Sequence, residues 1–223
     1  MLVDSHRLTD ADRAAWDVLE WQDRRRRVPG WMVRSAARAI ERFLCDGPAY
    51  VSCSWGKDSV VVAHLARSVA PGTPLVHAAF GAYENPECAA VRDEFCVRWP
   101  MPAYDVECPW TTTWFRAVET AHGRRRIMGI RSAESSARKI SAATHGVATA
   151  IVCRPILHWT TDYVFAYLAQ HDLPVHPAYA MSRGGTIPRE SLRVDVIGGA
   201  EGSERGRADW ERDYYGDVLA GQD

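Results

Sequence analysis

The sequence predicts an α/β fold: a single doubly wound, mostly parallel five-stranded sheet with helices on both faces. Short apolar runs rich in β-formers recur at 49–53, at 75–80, at 103–108, from Ile127 up to Arg131, and at 148–153. Between them lie stretches whose apolar residues fall at helical spacing. Each interval is long enough for the right-handed crossover that joins neighbouring parallel strands. With 223 residues, 47% of them hydrophobic and 25% charged, the chain has the proportions of one α/β domain with a sizeable core.

The elements follow in order. Residues 8–27 read as a helix, capped by Thr9 with Asp12 three residues on. Ala15, Trp16, Val18 and Leu19 make its apolar stripe, and Arg24 to Arg27 suit its negative end, either as a solvated terminus or as a polyphosphate or partner contact. Pro29-Gly30 breaks the chain before a second helix, Trp31 to Cys45. The first strand, Ala49 to Cys53, runs into the polar loop Ser54-Trp55-Gly56-Lys57-Asp58-Ser59 and then a helix bearing Val61, Leu65 and Val69. After the turn Pro71-Gly72 come the second strand and a helix from Pro86 to Val97. The third strand leads to a helical stretch, Thr111 to His122, and the basic run Arg124 to Arg126. The fourth strand ends at Arg131. Thr160 or Thr161 caps a last helix carrying Val164, Phe165 and Leu168. Residues 182–223 are glycine- and arginine-rich and read as loop-like, an extension of the 1–181 domain and not a second one. That extension is expected to be a flap over a ligand, an interaction tail or plain surface.

The loop after the first strand is where chemistry is expected. A strand's carboxyl end meeting a helix's amino end aims backbone N–H groups and a positive dipole end at an anion. The loop is too short for a Walker A motif. It resembles the Ser-Gly-Gly-Lys-Asp-Ser loop of the PP-loop ATP pyrophosphatases, which include the PAPS-reductase-like proteins; Trp55 stands where many members have Gly. Gly81-Ala82-Tyr83-Glu84-Asn85-Pro86-Glu87 resembles that family's Thr-Gly-x-Glu-x-Pro-Glu segment without the Thr. Gly129-Ile130-Arg131-Ser132-Ala133-Glu134-Ser135-Ser136-Ala137-Arg138 is similar to its Gly-x-Arg-x-x-Glu-Ser-x-x-Arg block, and Pro155 to Tyr179 to a third.

The resemblance implies an adenine nucleotide alpha hydrolase-like fold and cleavage of ATP between its α and β phosphates, adenylating an acceptor. Lys57, Asp58 and Arg131 would be catalytic: Lys57 and Arg131 on the leaving pyrophosphate, Asp58 helping to position magnesium. Ser54, Trp55, Gly56, Ser59, Gly129, Glu134 and Arg138 would bind nucleotide, and Glu84 and Glu87 would order the site or serve as acceptor. The implied cofactors are ATP and Mg2+, the magnesium held through the phosphates. The closest role in the family is the ATP pyrophosphatase component of bacterial DNA phosphorothioation systems, with DNA and a cysteine desulfurase or other sulfur-transfer protein as partners. The sulfonucleotide reductases of the family attack sulfur with a cysteine near the C-terminus. Here the last cysteine is Cys153, which argues against that chemistry. A PAPS- or APS-binding protein and a non-catalytic nucleotide-sensing subunit stay open.

Composition narrows the rest. The net charge is −1, so any polyanion contact must come from a local patch. Six cysteines match no iron–sulfur spacing, and no cluster is expected. The histidines His158, His171 and His176 fit no zinc pattern and read as packing or surface residues. No apolar run spans a bilayer and no signal core opens the chain, so a cytoplasmic protein is expected, with a homo-oligomer left open.

Overall fold

The computed structural model describes residues 1–109, 114–198 and 207–222. Five parallel strands form one sheet: β1 Tyr50–Ser52, β2 Leu75–Ala79, β3 Ala103–Glu107, β4 Arg126–Met128 and β5 Val152–Cys153. Their order is β3-β2-β1-β4-β5. Val51 sits opposite Leu75 on one side and Ile127 on the other. The chain builds outward from β1 through β2 to β3, then crosses back to lay β4 on the other flank. The connections therefore diverge at the carboxyl ends of β1 and β4 and leave a crevice, the usual ligand position in such sheets.

The helices are α1 Asp10–Arg25, α2 Gly30–Cys45, α3 Lys57–Val69, α4 Glu87–Arg98, α5 Trp114–His122, α6 Ser136–His145, α7 Thr161–Gln170 and α8 Arg207–Ala220. Strand alternation divides the interior. Val51, Cys53, Leu75 and Ile127 face a large core with Trp16, Ile40, Phe95 and Phe165, while Tyr50 and Val76 face a small one closed by Val118 of α5. Thr9 and Asp12 form the expected capping box, and Thr160 caps α7. Among the described residues no helix is long and apolar enough to cross a membrane.

Several expectations need correction. Val18 is 58% exposed and lies off the α1 stripe. The fifth strand is only two residues long because the segment before it doubles back: Thr149 N–H donates to Val152 O at 2.9 Å and Arg154 N–H to Val147 O at 2.7 Å. These bonds take backbone groups that a longer strand would need. The two arginine runs are largely engaged at home. Arg24 meets Glu20 and Asp172, Arg26 meets Asp162, Arg125 donates to the carbonyls of Phe43 and Ala150, and Arg126 meets Glu119.

The extension is far more ordered than its composition implies. α8 buries Trp210, Tyr214 and Tyr215 against the domain. Trp210 Nε1 donates to Met181 O at 2.7 Å, and Arg7 pairs with Asp217. Asp12 of α1 accepts from Ser182 N–H at 3.0 Å, from Gly184 N–H at 2.9 Å and from the Tyr214 hydroxyl at 3.1 Å. Arg189 of the same extension makes a buried pair with Asp23. The expected start of the fifth helix at 111–113 and the glycine-rich stretch at 199–203 with Arg205 lie outside the described residues.

Candidate functional site

The loop between β1 and α3 is held by its least polar residue. Trp55 has φ 57°, a left-handed conformation that costs a non-glycine residue about 1–2 kcal/mol. Its indole is 1% exposed and packs on Phe95. Burying an aromatic ring of about 150–250 Å² outweighs that strain at about 25 cal/mol per Å². The turn then delivers Gly56 as the cap residue of α3, which offers no capping side chain of its own. The Ser59 hydroxyl donates to Gly56 O at 2.9 Å and closes the loop.

Lys57 is 6% exposed at the start of α3. Its ammonium lies 2.9 Å from Asp58 Oδ2 and 4.9 Å from the centre of the Tyr179 ring, and its backbone N–H donates to the Tyr179 hydroxyl at 3.2 Å. Burial works against the ammonium, but attraction to Tyr179 and Asp58 prevails and holds its pKa above the ordinary lysine value. The side chain is a fixed cation.

The β4 exit completes the site. A Cβ on Gly129 would stand 2.6 Å from the Asp58 carbonyl carbon and 2.8 Å from Ser59 N, so only glycine lets the two loops close on each other. Arg131 is 3% exposed. Its Nε donates to Asp58 Oδ1 at 2.6 Å and its Nη1 to Thr161 Oγ1 at 3.2 Å. Glu134 accepts from the Arg131 backbone N–H at 3.1 Å and pairs with Arg138.

Two adjoining chambers open along the carboxyl edge. The first, about 320 Å³, lies between β1 and β4 and is lined by Ser52, Ser54, Gly56 to Ser59, Met128 to Ile130, Glu134, Arg138, Tyr179 and Arg193 to Asp195. The second, about 300 Å³, lies between β1 and β2 and is lined by Cys53, His77, Ala78, Phe80, Glu84, Cys88 and Val196. Both share Ser52, Ser54, Trp114, Val194 and Asp195. In the second, His77 Nδ1 faces Cys53 O at 2.9 Å and Nε2 faces Glu84 Oε1 at 3.0 Å. Burial opposes its charge, but Glu84 wins and its pKa is raised; acceptors at both nitrogens favour the protonated ring. Burial also pushes the Cys53 thiol up to about 12 and Cys88 well above its usual value, so neither is a thiolate at neutral pH.

Ser54, Gly56, Lys57, Asp58, Ser59, Gly129, Glu134 and Arg138 thus all reach the first chamber, and Glu84 reaches the second. Three expected residues do not. The Trp55 side chain is in the core, and Arg131 lies behind Asp58 instead of facing ligand. Glu87 holds the N-terminal segment through Ser5 and Arg7, at 3.0 and 2.9 Å. The sequence reading missed Tyr179, His77, Phe80 and the 193–195 segment as lining residues. Tyr179 and His77 both stood inside segments already singled out, but only their direction reveals the role. Both oxygens of Asp58 are taken by cations, so the carboxylate is placed to orient Lys57 and does not fit as a direct metal ligand. Among the described residues no group of three or more His, Cys, Asp or Glu is placed to hold a metal.

Residues 110–186 match the family model of the phosphoadenosine phosphosulfate reductase domain. The PAPS-reductase-like stretch takes in Gly129, Arg131, Glu134, Arg138 and Tyr179, while the Ser54–Ser59 loop lies before it. No curated protein matches the chain. Among solved structures, a phosphoadenylyl-sulfate (PAPS) reductase from Candida auris in a phosphate complex is similar at 11% identity with a TM-score of 0.44, over 76% of this chain and 90% of that one. The U34-tRNA thiolase NcsA from Methanococcus maripaludis, with its [4Fe-4S] cluster, is similar at 12% identity with a TM-score of 0.45, over 85% of this chain and 77% of that one.

Proposed function

We propose that the protein is an ATP pyrophosphatase that adenylates an acceptor for sulfur incorporation. The observation that carries this reading is the buried Lys57 ammonium, fixed by Asp58 and Tyr179 at a helix start in the switch-point crevice. Such a cation stabilises charge that develops on a leaving pyrophosphate without having to reorganise. The second chamber, with Phe80 and the His77–Glu84 pair, suits a purine and its ribose. An acceptor oxygen attacks the α-phosphorus, the bond to the bridging oxygen breaks, and pyrophosphate leaves with that electron pair beside Lys57. The acceptor then carries AMP, a good leaving group for a sulfur nucleophile. Arg131 acts through Asp58 as a positioning residue. Mg2+ is expected to arrive on the phosphates. The proposed acceptor is the DNA backbone, with sulfur supplied by a cysteine desulfurase, as in phosphorothioation systems.

A reductase reading is disfavoured by the two thiols at the cleft, because burial raises Cys53 and Cys88 and a reductase needs a thiolate. The test is product analysis of purified protein with ATP and magnesium, with and without DNA. AMP and pyrophosphate, increased by DNA, are expected. ADP and phosphate would overturn the reading, and turnover of PAPS to sulfite with a thiol donor would replace it.

A further inference from the structure

We infer that the outer face of α2 binds a single-stranded polynucleotide, at a surface separate from the nucleotide cleft. Arg34, Arg38 and Arg42 follow one another every fourth residue, so they form one row about 12 Å long on the helix. All three are exposed. They line a groove of about 540 Å³ that starts at Trp31 and is walled by Val147. Trp31 itself is 65% exposed.

Many of the molecule's other arginines are held at home. Arg7, Arg26, Arg126, Arg131 and Arg189 are all tied to carboxylates. The side chains of Arg34, Arg38 and Arg42 make no ion pair or hydrogen bond among the described residues, and the only acid on α2 is Glu41. The helix itself does not need them. Arg42, in the last turn, complements the dipole, but the first turn holds no acid and has no side-chain cap, so Arg34 adds positive charge where the helix end is already positive. A positive groove ending in an exposed indole has the two parts that single-strand binding uses: cations along the phosphates and an aromatic face for a base. An acidic peptide would use the cations and leave Trp31 idle; a duplex would keep its bases out of reach. No part of the groove reads the sugar, so DNA and RNA strands are expected to bind alike.

The experiment is fluorescence anisotropy of the full chain, without ATP, against labelled dT15 and rU15, a blunt duplex of the same length, and poly-glutamate. Because nucleotide is absent, failure here leaves the pyrophosphatase reading intact, and the reverse holds. Both single strands are expected to bind alike, and at least tenfold more tightly than duplex or poly-glutamate. The triple variant Arg34→Gln, Arg38→Gln, Arg42→Gln should lose at least tenfold in affinity and reduce the magnitude of the log–log salt slope by about 2. Trp31→Ala should lose about tenfold with the slope unchanged, and Trp31→Phe should restore most of it. Equal binding of duplex or poly-glutamate, unchanged affinity in the triple variant, or no single-strand binding at 50 mM salt would each overturn the inference; circular dichroism establishes that these exposed variants are folded.

Discussion

The two chambers share the β1 end yet differ in what makes them rigid. The β1–β4 chamber is fixed by backbone: Gly129 presses on Asp58 and Ser59, and Lys57 is clamped between Asp58 and Tyr179. The β1–β2 chamber is fixed by a titratable pair, His77 and Glu84. The first is therefore intolerant of side-chain volume at Gly129, while the second depends on the charge state of a histidine. One suits a highly charged group that must be held at constant geometry, the other a flat, less polar one.

Lys57→Ala breaks the first chamber alone. It should lower ATP turnover by about 10³-fold, as loss of a preorganised charge stabiliser does, while adenosine binding measured by calorimetry stays within about twofold of the parent. If adenosine binding falls in parallel, the chambers are not separable. Gly129→Ala is expected to be next in size. The added methyl must displace backbone, so stability falls by about 1–3 kcal/mol in denaturant melts and turnover drops with it. Unchanged melts would show that the two loops do not bear on each other. The smallest effect sharpens the contrast in the second chamber. The raised His77 pKa means that its stabilising contribution is fully present below the unfolded value of 6.5 and is lost as pH rises through the folded value. Charge-assisted bonds of this kind contribute about 1.5–3 kcal/mol. Tm should therefore decline by several degrees on that rise, and His77→Gln should flatten the decline; an equally steep decline in the variant would assign it elsewhere.

Much of the fold was legible because its signals are local. Thr9 with Asp12, the apolar face of α2, and the strand–loop–helix around Lys57 each announce themselves within a few residues. What stayed hidden depends on direction or on partners distant in sequence. Arg131 stood at the expected strand end, but nothing local says that its guanidinium turns inward to Asp58 and Thr161. The arginine runs at 24–27 and 124–126 drew attention because they are contiguous, yet contiguity spreads side chains around a helix or across a strand, where carboxylates and carbonyls elsewhere in the chain meet most of them. The α2 row is spread over nine residues and is visible only once helical spacing is applied to charge as it was to apolarity. α8 escaped because Trp210, Tyr214 and Tyr215 sit among Arg212, Asp213 and Asp217, with Gly216 beside the non-helical Tyr215.

Asp12 joins α1 to Ser182, Gly184 and Tyr214, residues from 170 to 202 positions away in sequence. Its carboxylate thereby connects an early helix to the start of the segment that lines the chambers at 193–196 and to the last helix. Opening at Ser182 and Gly184 is then tied to α1. In hydrogen exchange the amides of Ser182 and Gly184 should report the same cooperative opening as α1, not the rapid, independent exchange of a frayed end.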